Sequence, residues 1–248
     1  MLWLIENIDS LDPEAVLALL PQLSPARREK TLRYKVQPPK LQSILAELLL
    51  RYALKQESDI RELPEIAVGE KGKPFFPAHP ELHFNLSHCK TAVACALDSS
   101  PVGVDVQEIR FDESGEVYPR SSLMRGIYSE AEKAWVLAGE TEVEQERRFI
   151  AVWTCKEAYG KAIGEGILYP LTEFSFLPRQ EVWKQLDFSF QIQRRGESYL
   201  TLCAQEPLAI QTVSFSELTA PTAKPDAEEQ NREDPRNTNR EEKILCLT

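Results

Sequence analysis

Residues 101–110 read PVGVDVQEIR, an apolar run that contains a single early acid, Asp105, with a valine on either side. Because side chains on a strand alternate between its two faces, Asp105 and Gln107 would share one face and Glu108 would lie on the other. A carboxylate within an apolar strand is costly unless it is paired or bound to a cation. The stretch therefore predicts either a cation-binding acid or an aspartate that caps the following turn.

A second polar stripe lies in WTCKEAYGK, residues 153–161. Trp153, Glu157 and Lys161 are spaced four residues apart, which places them on one face of a helix, with Lys156 beside them. The stripe mixes an apolar anchor with an acid and a base, as a catalytic helix would. The alternative is an ion pair between Glu157 and Lys161 on a solvated face.

Upstream of both stretches, KGKPFFP at residues 71–77 precedes HFNLSH at residues 83–88. Lys71 and Lys73 in this Gly- and Pro-containing loop could hold a phosphate or lie beside an adenine ring. Ser87 and His88 could donate hydrogen bonds to another phosphate. The two histidines of HFNLSH could instead form a structural pair. Metal binding by them is not expected, because no third soft ligand has suitable spacing.

The remaining pattern predicts the α+β class. Helices are expected from residue 24, at 40–57, from the capping-box pattern at Ser129, and at 146–163. Strands are expected at residues 2–8, 82–87, 92–97, 102–106, 173–176, 188–193, 199–204 and 210–215, with a loop at 69–80. Each half offers helices and a small antiparallel sheet, which suggests a pseudo-dimer of two similar α/β halves, residues 1–105 and 106–219. The polar segment 220–248 is expected to be a disordered tail.

Composition limits the function classes. The chain has 248 residues, 42% of them hydrophobic and 27% charged, as in soluble globular proteins. A net charge of −10 argues against bulk binding to nucleic acid or anionic membranes, so a polyanionic ligand needs a local basic cluster. There is no apolar run of roughly 20 residues and no basic segment before the first apolar stretch, so neither a membrane span nor a secretory signal is expected. Five scattered cysteines without CxxC spacing suit free thiols in a reducing cytoplasm.

The order GKP, FNLSH, GVDV and WTCKEAYGK resembles the 4'-phosphopantetheinyl transferase superfamily, over residues 24–176. Its spacing is similar to that of the larger, monomeric class typified by the enzyme that activates surfactin synthetase. The resemblance implies a magnesium-dependent transfer of phosphopantetheine from coenzyme A to a serine of an apo acyl or peptidyl carrier protein, with release of 3',5'-ADP. It also implies an active site in a cleft between the two halves.

The resemblance also assigns roles to residues. The implied metal ligands are Asp105, Gln107 and Glu157. The implied contacts to coenzyme A are Arg27 and Lys30 from the basic segment SPARREKTLRY, together with Lys73, Ser87, His88, Lys156 and Lys161. Glu157 and Lys161 would be catalytic: Glu157, or a water molecule on the magnesium, would take the proton of the carrier serine, and Lys161 would neutralise the leaving 3',5'-ADP.

Gln107 departs from the family pattern, which usually places a second acid two residues after the aspartate. Glu108 would point to the opposite face unless a bulge redirected it. We interpret the change as altered metal affinity with retained activity. Two other readings are a non-catalytic coenzyme A or nucleotide binder on the same fold, and a magnesium-dependent phosphohydrolase. The sequence disfavours the hydrolase, because it has no evident second metal site or His-Asp cluster.

Overall fold

The computed structural model describes residues 1–117, 124–166 and 171–220 of the chain. The helices are α1 (Pro13–Leu17), α2 (Pro25–Arg33), α3 (Gln37–Glu57), α4 (Glu130–Leu137), α5 (Glu142–Ile163) and α6 (Phe215–Thr219). The strands are β1 (Leu2–Glu6), β2 (Ala67–Val68), β3 (Pro74–Phe75), β4 (His83–His88), β5 (Ala92–Asp98), β6 (Gly103–Glu108), β7 (Val182–Gln185), β8 (Phe188–Arg195), β9 (Ser198–Ala204) and β10 (Ile210–Thr212). The fold is therefore α+β, as the sequence predicts.

Helix ends coincide with the cap signals of the sequence. Ser24 is the N-cap of α2 and accepts a hydrogen bond from a backbone N–H of its first turn. Ser129 and Glu132 form the complete capping box that begins α4. Gly164 ends α5 with a left-handed φ of 78°, which glycine adopts without a steric penalty.

Two four-stranded sheets make up the framework. The first has the order β10-β1-β5-β4 and is mixed, because β10 runs parallel to β1 while the other pairs are antiparallel. The second has the order β6-β9-β8-β7 and is antiparallel throughout. Met1–Leu218 forms one compact unit that contains both sheets. The boundary predicted at residue 105 falls inside β6, and the division into two similar halves stays a prediction.

Each sheet is covered by one long helix and meets the other sheet through apolar side chains. Helix α3 packs on the first sheet and α5 on the second. Between the sheets lies a cluster of small and branched residues from β1, β5, β9 and the β6 region: Leu2, Leu4, Ala92, Ala94, Ala96, Val102, Val104, Val106, Leu200, Leu202 and Ala204. Since Val104 and Val106 face the first sheet, strand alternation turns Asp105 towards α5.

Helix α5 approaches β6 closely enough to require a glycine. A Cβ atom on Gly103 would lie 2.0 Å from the carbonyl oxygen of Ala158 and 2.5 Å from the amide nitrogen of Ala162. Both atoms belong to the backbone of α5, so a side-chain rotation cannot relieve the overlap. The glycine of the GVDV motif therefore sets the distance between the strand of Asp105 and the helix of Glu157.

We expect Gly103→Ala to lower the free energy of unfolding by about 3 kcal/mol, at the upper end of the usual cost of overpacking, because α5 must move away from β6. Urea denaturation followed by circular dichroism measures the loss. Gly69→Ala is the matched control, since a Cβ there meets its nearest atom at an ordinary 3.5 Å. Equal stability of the two variants would contradict the close approach.

Four local predictions were wrong. The strand predicted at residues 2–8 stops at Glu6, and a short 3-10 helix (Ile8–Ser10) follows. Residues 173–176 form no strand: Glu173 ends a short 3-10 helix (Leu171–Glu173), and the amide of Phe176 donates to the carboxylate of Glu132 at 2.7 Å. The last strand stops at Thr212, and α6 begins at Phe215. The loop at 69–80 contains β3, which pairs with β2. The predicted tail lies, after Ala220, outside the described residues.

Four of the five cysteines lie in the described residues. Cys89, Cys95, Cys155 and Cys203 are free and buried. Burial raises the pKa of the Cys89 thiol to about 11 and those of Cys95 and Cys155 to about 12, so these thiols stay protonated. In the part of the chain that the structure describes, no helix combines the length and apolar character needed to cross a bilayer.

Candidate active site

Asp105 lies where β6, β4 and α5 meet. Its Oδ1 atom accepts hydrogen bonds from Lys161 Nζ at 2.6 Å and from Ser87 Oγ at 2.9 Å. Lys161 also reaches Ser87 Oγ at 3.3 Å and the carbonyl oxygen of Val104 at 3.2 Å. Three residues that the sequence predicted for the site, separated by up to 74 positions, thus share one hydrogen-bonded cluster.

The second oxygen of Asp105 has a different environment. Oδ2 is buried and finds no hydrogen-bond partner among the described residues, although an unpartnered buried carboxylate oxygen is costly. The Glu157 carboxylate likewise makes no hydrogen bond or ion pair within the described part of the chain. Burial, with a smaller contribution from the negative charge of Asp105, raises the pKa of Glu157 to about 6, and Lys161 opposes the shift. Two acids close enough to interact electrostatically, one of them with a buried unpartnered oxygen, suit a divalent cation.

Gln107 occupies the position where the family resemblance predicts a second acid. It is half-buried on the Asp105 face of β6, opposite Tyr199 of β9. Glu108 lies on the other face, where its carboxylate accepts from the backbone N–H of Lys90 at 2.9 Å. No bulge redirects it, so Glu108 does not replace the missing acid. In the described ranges, no three His, Cys, Asp or Glu residues are grouped to hold a metal ion.

Several basic residues lie near the cluster of Asp105, Ser87 and Lys161. His88 ends β4 with one edge in solvent, and its pKa is lowered first by desolvation and then by the charges of Lys161, Lys30 and Arg27. Arg27 is held in place by the buried carboxylate of Glu47 at 3.7 Å. The α2 residues predicted to contact coenzyme A are therefore within electrostatic range of His88, in an otherwise acidic protein.

Lys73 is fixed between β6 and the end of α5. Its Nζ atom donates to the carbonyl oxygens of Ala162 at 2.7 Å and Val102 at 3.3 Å. Burial lowers its pKa to about 8. Lys73 also lines a cavity of about 410 Å³ with mostly apolar walls that include Phe76 and Pro101. The cavity could accept a flat ring next to a cationic side chain.

Lys156 does not join the cluster. It lies one residue from Glu157, about 100° round the helix, and points into the core between α5 and α4. Its Nζ atom lies 2.9 Å from the Glu132 carboxylate, and the two side chains are 1% and 0% exposed. It also donates to the carbonyl oxygen of Phe174 at 3.0 Å. This placement gives Lys156 a structural partner, and its predicted contact with coenzyme A stays a prediction.

Two polar residues that contact α5 or β6 are not indicated as such by the sequence pattern. Glu132 belongs to the capping box of α4, and it also pairs with Lys156 of α5. Asn85 is not among the predicted site residues, although it lies two residues before Ser87 and therefore on the same face of β4. Its Oδ1 atom accepts the backbone N–H of Val104 at 2.9 Å. The available signal was the polar alternation of HFNLSH in an otherwise apolar strand.

Comparison with known proteins shows which family this chain resembles. The family model of the 4'-phosphopantetheinyl transferase superfamily matches residues 101–213, which contain β6 and α5. The chain is 32% identical to the 4'-phosphopantetheinyl transferase Sfp of Bacillus subtilis over 165 residues, 64% of this chain and 68% of that protein. It is 31% identical to gsp of Aneurinibacillus migulanus, over 67% of this chain and 66% of that one. It is 30% identical to pptA of Paxillus involutus, over 75% of this chain and 79% of the fungal protein.

The fold is α+β, and two acids and a lysine lie close together where β6 meets α5. The chain belongs to the 4'-phosphopantetheinyl transferase superfamily. It is an enzyme, a transferase whose transferred group is 4'-phosphopantetheine.

Proposed function

We propose that this chain moves the 4'-phosphopantetheine arm of coenzyme A to a serine of an apo acyl or peptidyl carrier protein, releasing 3',5'-ADP, and acts as a cytoplasmic monomer. The observation that carries the proposal is the acid pair Asp105 and Glu157 beside Lys161, with Asp105 Oδ2 buried and unpartnered in the described chain. The two halves, residues 1–105 and 106–219, would contribute one acid each to the cleft between them.

Asp105 and Glu157 fit a hard divalent cation, because both offer carboxylate oxygens that lack a competing partner among the described residues. These two residues would hold magnesium, and Gln107 would add its neutral amide oxygen. When bound, magnesium would neutralise the negative charge that develops on the diphosphate oxygens of coenzyme A.

Side chains of the protein would transfer the proton, neutralise the leaving group and bind coenzyme A. A pKa of about 6 leaves Glu157 ionised at neutral pH and able to take the proton of the carrier serine hydroxyl. Lys161, already tethered to Asp105, would offset charge on the leaving 3',5'-ADP. Arg27, Lys30 and His88 would bind a phosphate of coenzyme A, and Lys73 would lie beside its nucleotide.

The test is to incubate the protein with coenzyme A, magnesium and an apo carrier, and to weigh the carrier by mass spectrometry. Transfer adds the mass of one phosphopantetheine arm. A non-catalytic binder would leave the carrier unchanged, and a phosphohydrolase would consume coenzyme A without any carrier. Either of the last two results would refute the proposal.

Glu157→Gln should lower the transfer rate by roughly 100-fold, since it removes both a cation ligand and the proton acceptor. It should also stabilise the protein. A carboxyl group whose pKa in the folded protein exceeds its ordinary value of 4.5 costs stability above both pKa values, and the cost disappears below the lower one. The melting temperature should therefore rise at neutral pH, and the gain should vanish as the pH falls from about 6 to 4.5.

The control for this variant is Glu142→Gln, an exposed acid at the start of α5. It should leave transfer unchanged and slightly lower the melting temperature, because acids in a first turn favour the helix. A Glu157→Gln protein that transfers normally would exclude Glu157 from the site.

Gln107→Glu should reduce the magnesium concentration for half-maximal transfer by roughly tenfold, because a carboxylate binds a divalent cation more strongly than an amide does. Gln193→Glu makes the same charge change on β8, where the amide accepts from Arg195 at 2.7 Å, and should not move the curve. An unchanged magnesium titration for Gln107→Glu would place Gln107 outside the cation site.

A further inference from the structure

Strand β6 has one edge that no strand covers within the described residues. Its other edge pairs with β9, and β6 is the terminal strand of the second sheet, as β4 is of the first. The backbone N–H groups on this edge instead donate hydrogen bonds to side chains of β4. Val104 N–H donates to Asn85 Oδ1 at 2.9 Å, and Val106 N–H donates to Ser87 Oγ at 3.2 Å.

Two lysines donate hydrogen bonds to carbonyl oxygens on the same edge of β6. Lys161 Nζ donates to the carbonyl oxygen of Val104 at 3.2 Å, and Lys73 Nζ donates to that of Val102 at 3.3 Å. Because unpaired backbone groups in a buried strand are costly, these side chains replace the ladder that a neighbouring strand would supply. The position of β6 relative to β4 is therefore set by a few polar side chains and by apolar contact.

We propose that Asn85 is a positioning residue for the Asp105 carboxylate, which deepens the proposed function and rests on it. The two amides held by β4 side chains, those of Val104 and Val106, flank Asp105 in the chain. Asn85 itself makes no hydrogen bond to the carboxylate. It acts on Asp105 through the backbone, because it fixes β6 at Val104, the residue before Asp105.

The geometry makes Asn85 suited to this role. Its side chain is 6% exposed, and its oxygen must face Val104 because only the oxygen of the amide can accept a hydrogen bond. If this acceptor were removed, the Val104 amide would be buried without a partner and β6 could shift along β4. A displacement of about 1 Å at Asp105 can reduce the rate roughly 100-fold. Ser87 would still donate to Asp105 Oδ1 and accept the Val106 N–H, but neither bond fixes the strand on the N-terminal side of Asp105.

Asn85→Leu keeps the approximate shape and removes the acceptor, whereas Asn85→Asp keeps an acceptor oxygen. Leu86→Ala is the control, since Leu86 lies on the opposite face of β4 and packs in the core under α3. Three quantities separate positioning from general stability: hydrogen exchange of the Val104 amide, Mn²⁺ binding to the coenzyme A-free protein by EPR, and kcat against KM for coenzyme A.

For Asn85→Leu we expect faster exchange at Val104, Mn²⁺ binding weakened roughly tenfold, and kcat lowered roughly 10- to 100-fold with KM within about twofold. Asn85→Asp should protect Val104 as in the wild type and bind Mn²⁺ at least as tightly. Leu86→Ala should melt at a lower temperature and bind Mn²⁺ normally. If Asn85→Leu gives no folded protein, Asn85→Ala is the milder variant with the same expected direction.

The proposal is overturned if folded Asn85→Leu keeps wild-type Mn²⁺ affinity and kcat, or if only its KM for coenzyme A rises. It is also overturned if Leu86→Ala loses Mn²⁺ affinity equally. Wild-type protein assayed in parallel separates the two claims: absence of transfer by the wild type counts against the proposed function, while the exchange and Mn²⁺ measurements still test Asn85.

Discussion

Replacing Asp105 by asparagine should lower the rate of phosphopantetheine transfer roughly 1000-fold, with the folded structure retained. The substitution keeps the shape of the side chain but removes its charge. Lys161 then loses its ionic partner, and the unpartnered Oδ2 position no longer attracts a cation. Loss of electrostatic stabilisation of a developing charge commonly costs a factor of about 100 to 1000, and here two such contributions are lost together.

Single-turnover mass spectrometry of the carrier measures the effect over this range. Glu108→Gln is the matched control: it removes a carboxylate from the same strand, on the face turned away from α5. It should transfer within about twofold of the wild type, as surface substitutions away from a site usually do. Near-normal turnover by Asp105→Asn would show that the cation assignment is wrong.

Replacing Lys156 by methionine should have the largest effect on stability, a loss of about 3 kcal/mol or more, because it leaves the Glu132 carboxylate charged and buried without its cation. Glu132 keeps the backbone N–H groups of Ser129 and Phe176, both at 2.7 Å, so the loss should fall at the lower end of that for a broken buried pair. Urea denaturation measures it.

The same variant separates two roles for Lys156. If the lysine is structural, the folded Lys156→Met enzyme should keep the wild-type KM for coenzyme A. If it also contacts coenzyme A, KM should rise in addition to the loss of stability. Lys133→Met provides the comparison, because its ion pair with Glu130 is exposed and should contribute about 1 kcal/mol or less.

Some site features follow from local periodicity. Strand alternation places Asp105 and Gln107 on one face of β6. A spacing of four residues places Glu157 and Lys161 on one face of α5. These patterns depend only on the backbone geometry of a strand and a helix, so they can be read without knowing the neighbours. The capping box at Ser129 is local in the same sense.

Other features depend on which elements pack together. Lys156 and Lys161 have the same side chain on the same helix, yet one enters a buried pair and the other meets Asp105. No local pattern distinguishes them, because the partners lie 24 and 56 residues away in the chain. The wrong strand at 173–176 has the same cause, since Glu132 accepts the Phe176 amide that a neighbouring strand would otherwise bind.

The sequence alone determined the α+β class, the face on which Asp105 lies, the helix that carries Glu157, and the family. The tertiary structure decided that Lys161 reaches Asp105, that Lys156 is buried, and that Asn85 and Ser87 bond to the uncovered edge of β6. The physical reason is the separation along the chain over which each kind of interaction acts. Periodicity and caps act within one element, whereas the site forms from contacts between elements that meet only when both sheets pack against each other and α5 settles on Gly103.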